Sequence, residues 1–491
     1  MHLDCQNLIG GTFQDAGDGQ KSENTCPADT RHVIGTAPES TAKDVDAAVA
    51  AAKTAFSSWR QVTAPARGDL LFAVAAKISE RAEELAQALS WEEGKIIAEA
   101  RGEVQKTLKY LQFAAGDGRR MNGFTSPSEI SGTFACTMWR PRGVIGLITP
   151  WNFPVAIPMW KIAPAIVAGN TVVLKPAPET PATAHILGEI LQDAGIPDGV
   201  VNIIYGDVEP AQALLHHPDV EAISFTGSTH VGRIIEKACG ENHKPVQCEL
   251  GGKNAIIVLD DADIELAASA TAMGAFGSTG QRCTATSRAI VMDSVADDFV
   301  DAVTAKAKEV VAGHPVADGV TMGPSVSGRQ LDQVLRYMEI GKGEGALRTG
   351  ATRLNADDLS HGYFPEPTVF DNVPRGSRIA VEEIFGPVLS VVRVSSFDEA
   401  IDVANEIPFG LTGSVYTHDV GRVFASIDRI DSGMTQINNP TVGGEGHLPF
   451  GGIKATGVGP REMGPDAWKF YAEEKTVYIN HGGGARKGKF Y

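Results

Sequence analysis

From residue 143 onward, short apolar runs of strand character alternate with helix-patterned segments, and this alternation restricts the fold more than any other feature of the chain. Residues 144–149 read as a strand, 155–168 as a helix, 171–174 as a strand and 181–194 as a helix. Strand 200–204, helix 209–216, strand 221–225 and helix 228–238 follow. Such alternation specifies a mostly parallel sheet covered by helices on both faces. A second series starts with a strand at 254–259 and runs through 263–279, 288–292, 297–312, 329–341 and 397–406. The expected fold class is therefore α/β, with two lobes and a seam near residue 250. Three helices precede them, at 43–58, 65–89 and 98–117; in the second, Leu70, Leu71, Val74, Ile78, Leu85 and Leu89 line one side. No repeat of fixed period occurs, and the only low-complexity piece is a basic tail at 482–489.

Composition removes several functions. At 491 residues the chain can bury a large core without a metal or disulfide staple. Its formal net charge of −17 argues against a nucleic-acid or anionic-membrane binder, which needs a basic footprint. The cysteines, at 5, 26, 136, 239, 248 and 283, include no CxxC and no close pair, as expected of a reducing compartment. The histidines include no HExxH, and His216-His217 before Pro218 reads as a helix end, so no metal is expected. Met1-His2-Leu3-Asp4-Cys5 lacks the basic and apolar regions of a signal peptide, and no apolar stretch approaches a membrane span. A cytoplasmic location with no membrane partner is expected.

Four segments carry chemistry. Cys283, in Ser278-Thr279-Gly280-Gln281-Arg282-Cys283, follows a small-residue helix. A lone cysteine is usually a small buried hydrophobe, but the adjacent Arg282 and the glycine suggest a thiol of lowered pKa. Glu249 precedes Leu250-Gly251-Gly252-Lys253, where glycines let backbone approach a ligand. It reads either as a solvated strand-end charge or as a general base. Asn152, in Pro150-Trp151-Asn152-Phe153-Pro154, sits at a strand's carboxyl end, where α/β folds bind ligands. Its amide suits an oxyanion, or else ordinary turn chemistry. Phe225-Thr226-Gly227-Ser228-Thr229 forms a strand, glycine turn and helix start able to offer N–H groups to a pyrophosphate, although it is no GxGxxG fingerprint.

Together these segments resemble the aldehyde dehydrogenase superfamily over about residues 7 to 480. The likeness extends to Leu174-Lys175-Pro176, Glu383-Ile384-Phe385-Gly386-Pro387, Pro408-Phe409-Gly410-Leu411 and Pro449-Phe450-Gly451-Gly452, all in the family's order. The resemblance implies a doubly wound dinucleotide domain at 1–122 and 142–250 and a catalytic domain at 251–450. A bridging β element at 123–141 and 468–491 would serve a homodimer or homotetramer. It implies Cys283 as nucleophile, Glu249 as base, Asn152 as oxyanion donor, and catalytic support from Lys175 and Glu462. Cofactor contacts would come from Ile148, Thr149, Pro150, Trp151, Lys175, Glu179, Gly227, Ser228, Leu250, Gly251, Glu383 and Phe385. Arg282, Thr284 and His447 would face the substrate.

The implied reaction is oxidation of an aldehyde to an acid through a thiohemiacetal and a thioester, with NAD or NADP as hydride acceptor. Pro178 stands where NAD-preferring members carry a ribose-binding glutamate, and Glu179 comes one position later, so NADP tolerance is expected. Lys454-Ala455-Thr456-Gly457 departs mildly from the family's Lys-x-Ser-Gly. Arg282, His447 and Glu445 look like branches that oxidise semialdehydes with a distal carboxylate, such as α-ketoglutaric semialdehyde. The alternatives are a dehydrogenase for neutral aliphatic or aromatic aldehydes, or a silent member recruited as a binding protein.

Overall fold

Strand Val144–Ile148 lies between Thr171–Lys175 and Val220–Thr226, parallel to both, and that position organises the first lobe. The computed structural model describes residues 2–482. Among them, the first sheet runs Thr12–Gln14, Asn7–Ile9, Val201–Ile203, Thr171–Lys175, Val144–Ile148, Val220–Thr226, Val246–Glu249 and Gly457–Val458. Chain order steps outward one way from Val144–Ile148 to Val201–Ile203, then the other way from Val220–Thr226 to Val246–Glu249. The crevice between Val144–Ile148 and Val220–Thr226 is thus a topological switch point, the place where open α/β sheets bind ligands.

The residues of these strands explain their position. Val144–Ile148 and Thr171–Lys175 are buried throughout, and helix Ala156–Val167 is buried on every side. Each fully buried aliphatic side chain contributes about 1.5–3 kcal/mol, so this layer anchors the lobe.

The second sheet runs Ala346–Thr349, Thr368–Asp371, Val388–Val394, Thr286–Met292, Asn254–Val258, Thr412–Tyr416 and Met434–Ile437, parallel except at Ala346–Thr349. Strand Val246–Glu249 belongs to the first sheet and Asn254–Val258 to the second, so the seam near 250 is a short link between strands of different sheets. A third, antiparallel sheet pairs Ala472–Asn480 with Thr133–Pro141 over nine residues and adds Thr125–Pro127. Trp468, Phe470 and Tyr471, just before it, pack into the first lobe's core. The basic tail, beyond Gly482, lies outside the described residues.

Two sequence expectations change. The helix expected over 65–89 is two, Ala64–Glu80 and Ala82–Glu92, because Arg81 leaves helical geometry at φ −106° and ψ 22°. Its guanidinium is drawn to Glu84 and to Glu189 of a neighbouring helix, each at 2.6 Å. The helix expected over 263–279 ends at Phe276, after which Ser278 and Thr279 turn left-handed. No helix of the described residues is long and apolar enough to cross a membrane, and no cluster among them could hold a metal.

Candidate active site

The segment before Cys283 is strained and held from several sides. Ser278, Thr279 and Gly280 all have positive φ, at 47°, 57° and 68°, a region rare for Ser278 and Thr279, which carry a Cβ. Glu99 accepts the Ser278 N–H at 2.9 Å and its hydroxyl at 3.1 Å, while Thr279 donates to the Gly323 carbonyl at 2.9 Å. Gly280 is required here, since a Cβ would strike the Gly386 carbonyl. Asn152 Nδ2 donates to the Gln281 carbonyl at 3.0 Å and ties the turn after Ile148 to this segment. An amide nitrogen carries two hydrogens, so a second remains for a ligand.

Cys283 opens into a cavity of about 250 Å³ whose wall includes Glu249, Thr284, Phe153, Trp160 and Phe450. Glu249 ends strand Val246–Glu249 and is 5% exposed; one of its oxygens has no partner among the described residues. Gly451 makes room for it at φ 144°, where a Cβ would collide with the carboxylate. Glu462, also in the wall, is paired with buried Lys161, which donates to Ser224 at 2.8 Å. Desolvation, reinforced by Glu462, raises the Glu249 pKa well above the usual carboxylate value.

The thiol differs from the sequence expectation. Cys283 is pushed up to about 12, by desolvation first and then by Glu249 and Glu383. Arg282 does not lower it as expected, because its charge is engaged: Nη2 lies 2.7 Å from Glu99, and Nε donates to Ser278 at 3.0 Å. The cation that opposes the rise is Lys106, on helix Ile97–Asp117. Lys106 lines the same cavity, has its Nζ 5.0 Å from the Trp160 ring centroid, and forms no salt bridge among the described residues. Burial pulls its own pKa down. Sequence reading missed it, since a lysine on an amphipathic helix carries no distinguishing signal.

Thr284 is buried in the cavity wall, and its carbonyl accepts from Thr441 at 2.8 Å. His447 is not brought to the cavity. Its side chain is 54% exposed and lies 3.5 Å from Glu445, while Gly446 packs on Tyr110 and Phe450 turns inward instead.

The remaining predicted residues lie at strand ends of the first sheet, in the link after Glu249, or on the segment before Val388–Val394 of the second sheet. Ile148 and Thr149 lead into Pro150 and Trp151; Gly227 and Ser228 follow the neighbouring strand, and Ser228 caps helix Thr229–Glu241 by accepting the Val231 N–H. Three buried hydroxyls near these strand ends, on Thr149, Thr226 and Thr229, have no partner among the described residues. Lys175 ends its strand 5% exposed and without a salt bridge among those residues; burial lowers its pKa. Glu179 pairs at 3.4 Å with Arg329, whose side chain is 86% exposed. Leu250 and Gly251 follow Glu249, and a Cβ on Gly251 would meet the Glu383 carboxylate. Glu383 accepts the Gly252 N–H at 2.9 Å and is raised to about 7 by desolvation. Phe385, at φ 59°, stands edge-on to Trp151 at 5.5 Å, and its carbonyl accepts from Gln330 at 2.8 Å. Unpartnered hydroxyls, a buried ammonium and a helix N-terminus make a donor set suited to a phosphate-bearing ligand.

Comparison with known proteins agrees with this geometry. A model of the aldehyde dehydrogenase family matches residues 13–477. An α-ketoglutaric semialdehyde dehydrogenase from Bacillus subtilis is 43% identical, covering 96% of this chain and 97% of its own. A malonate-semialdehyde dehydrogenase from Geobacillus thermodenitrificans is 40% identical, covering 96% and 98%. Among solved structures, a betaine aldehyde dehydrogenase from Staphylococcus aureus in complex with NAD+ superposes with a TM-score of 0.96 at 33% identity, covering 99% and 96%.

Proposed function

The chain belongs to the aldehyde dehydrogenase family, and from that premise we propose that its substrate is a semialdehyde carrying a distal carboxylate, with α-ketoglutaric semialdehyde a representative. The observation that carries this reading is the cavity itself, where Cys283 and Glu249 share a wall with Lys106, a cation lacking an acidic partner among the described residues. Lys106 is half-buried, so its charge is incompletely solvated, and an arriving carboxylate relieves that cost. Arg282, held by Glu99, borders the same space and shapes it.

The residues take the following roles. Cys283, as thiolate, adds to the aldehyde carbonyl, and the oxyanion of the thiohemiacetal is received by Asn152 and the Cys283 N–H. The chemistry supplied by a bound nicotinamide dinucleotide is acceptance of the hydride. Ser228 and Gly227 would hold its pyrophosphate, Lys175 its adenosine ribose, Glu383 its nicotinamide ribose, and Phe385 its ring. Glu249 then takes a proton from water, whose attack on the Cys283 thioester releases the acid. Glu462 and Lys161 lie behind Glu249 and support its proton transfer.

Oxidation of acid-bearing and neutral aldehydes of equal length, with NAD+ and with NADP+, tests the assignment. A higher kcat/KM for the acid-bearing member supports it; a preference for the neutral one overturns it and fits the apolar wall of Phe153, Trp160 and Phe450.

We further propose a cytoplasmic homodimer or homotetramer. Six free thiols suit a reducing compartment. On the three-stranded sheet Phe134, Met138, Tyr478 and Ile479 are all exposed, an apolar set suited to a second copy.

A further inference from the structure

Lys95 and Glu103 form an ion pair of 2.6 Å with side chains 1% and 0% exposed, and Glu103 also lines the cavity onto which Cys283 opens. The hydrogen bonds of both residues grip the turn that carries Asn152. Lys95 Nζ donates to the Asn152 carbonyl at 2.7 Å and sits 4.0 Å from the Phe153 ring centroid. The second oxygen of Glu103 accepts the N–H of Val155 at 2.9 Å and of Ala156 at 3.0 Å, where helix Ala156–Val167 begins. Four of the five residues from 152 to 156 (152, 153, 155 and 156) are therefore contacted by one buried pair.

We propose that the Lys95–Glu103 pair is a positioning device that aims the Asn152 amide at the reacting carbonyl. A buried ion pair stabilises a fold little better than a well-packed apolar pair, so stability is a poor account of its presence. Fixed geometry is a better one, because an oxyanion donor misplaced by a fraction of an ångström loses most of its effect. The amide cannot rotate freely either, since one of its hydrogens is anchored on the Gln281 carbonyl. With the backbone held by Lys95 and the side chain by Gln281, the other hydrogen keeps a fixed direction. The proposal rests on the reading of Asn152 as an oxyanion donor.

Two reactions at Cys283, neither needing a dinucleotide, separate aiming from structural support. Iodoacetamide alkylates the thiolate by displacement of iodide and forms no oxyanion. p-Nitrophenyl acetate acylates it by addition to the carbonyl, giving a tetrahedral oxyanion that collapses with loss of p-nitrophenolate. In Lys95→Met, acylation is expected to fall by about 10- to 100-fold, somewhat less than loss of a whole oxyanion donor, while alkylation changes by less than about threefold. Glu103→Gln keeps the shape and one acceptor oxygen, and should show the same asymmetry more weakly. In an Asn152→Ala background, Lys95→Met should cost nothing further, because both changes remove the same function. Equal slowing of both reactions, or acylation at the parental rate in both variants, overturns the proposal. Acylation at the parental rate by Asn152→Ala alone is a separate result, and it overturns the oxyanion reading beneath it.

Discussion

Glu99 and Arg282 meet at 2.7 Å in the cavity wall, and the same carboxylate holds the Ser278 backbone. The pair fastens the segment before Cys283 to helix Ile97–Asp117, while Lys106, two turns further along that helix, lines the same cavity with no salt bridge among the described residues.

The two cations should therefore respond differently to substitution. Lys106→Met is expected to lower the ratio of kcat/KM for an acid-bearing over a neutral aldehyde by about 10- to 100-fold, as a lost charge-assisted bond does. Arg282→Leu should depress both substrates together, because it frees Glu99 and loosens the loop. Steady-state kinetics on the aldehyde pair read both effects; a ratio unmoved by Lys106→Met sinks the recognition role.

Cys283→Ser should abolish oxidation while dinucleotide affinity, followed by fluorescence titration, stays within about threefold. The other five cysteines should each be dispensable to the chemistry. Substantial turnover by the serine variant would exclude the thioester route.

Glu249→Gln should slow thioester hydrolysis by roughly 10²- to 10⁴-fold, the range for a lost general base. A first-turnover burst of reduced cofactor should persist. Since the Glu249 pKa is raised, the proportion in base form grows as pH rises, and deacylation should climb with pH in the parent. That limb should vanish in the variant. Burst and steady state falling together would assign Glu249 to thiol activation instead.

Cofactor use should be relaxed. Pro178 carries no carboxylate to repel a 2′-phosphate, Glu179 lies 3.4 Å from Arg329, and Lys175, which forms no salt bridge among the described residues, is placed to meet the phosphate. The expected kcat/KM for NADP+ lies within about tenfold of that for NAD+, a difference under about 1.4 kcal/mol. A gap of several hundredfold would show that an acid reads the ribose after all.

Glu93 offers a pH test of stability. It is 1% exposed, both carboxyl oxygens lack partners among the described residues, and desolvation raises its pKa from 4.5 to about 8. The folded protein keeps this proton where the unfolded chain has lost it. The associated stability is full below about pH 4.5 and is lost as pH rises toward 8. Glu93→Gln removes the titration, so its Tm should decline less than the parent's over that window. Parallel Tm curves would contradict the assignment.

Legibility in sequence followed local punctuation. Asn152, Glu249 and Cys283 each stand beside glycines or prolines at a strand end or helix end, and such signals survive without knowledge of the fold. The state of Arg282 was hidden because Glu99 lies 183 positions away. Lys95, Glu103 and Lys106 were equally silent, being ordinary charges of a helical region until packing set them behind Asn152 or beside Cys283. Strands Thr368–Asp371 and Val388–Val394 were passed over, since a short apolar run has no period to mark it among buried helices. The break at Arg81 likewise depends on Glu189, a partner from another helix.

The bond from the Asn152 amide to the Gln281 carbonyl joins groups that belong to different lobes. Cys283 follows Gln281 by two residues, so that bond couples the segment bearing the thiol to the turn bearing Asn152. Trp151, the residue directly before Asn152, meets Phe385 edge to face at 5.5 Å. One short turn thus touches the second lobe through a polar bond on one side and a ring contact on the other, so whatever displaces either contact pulls on the same two residues.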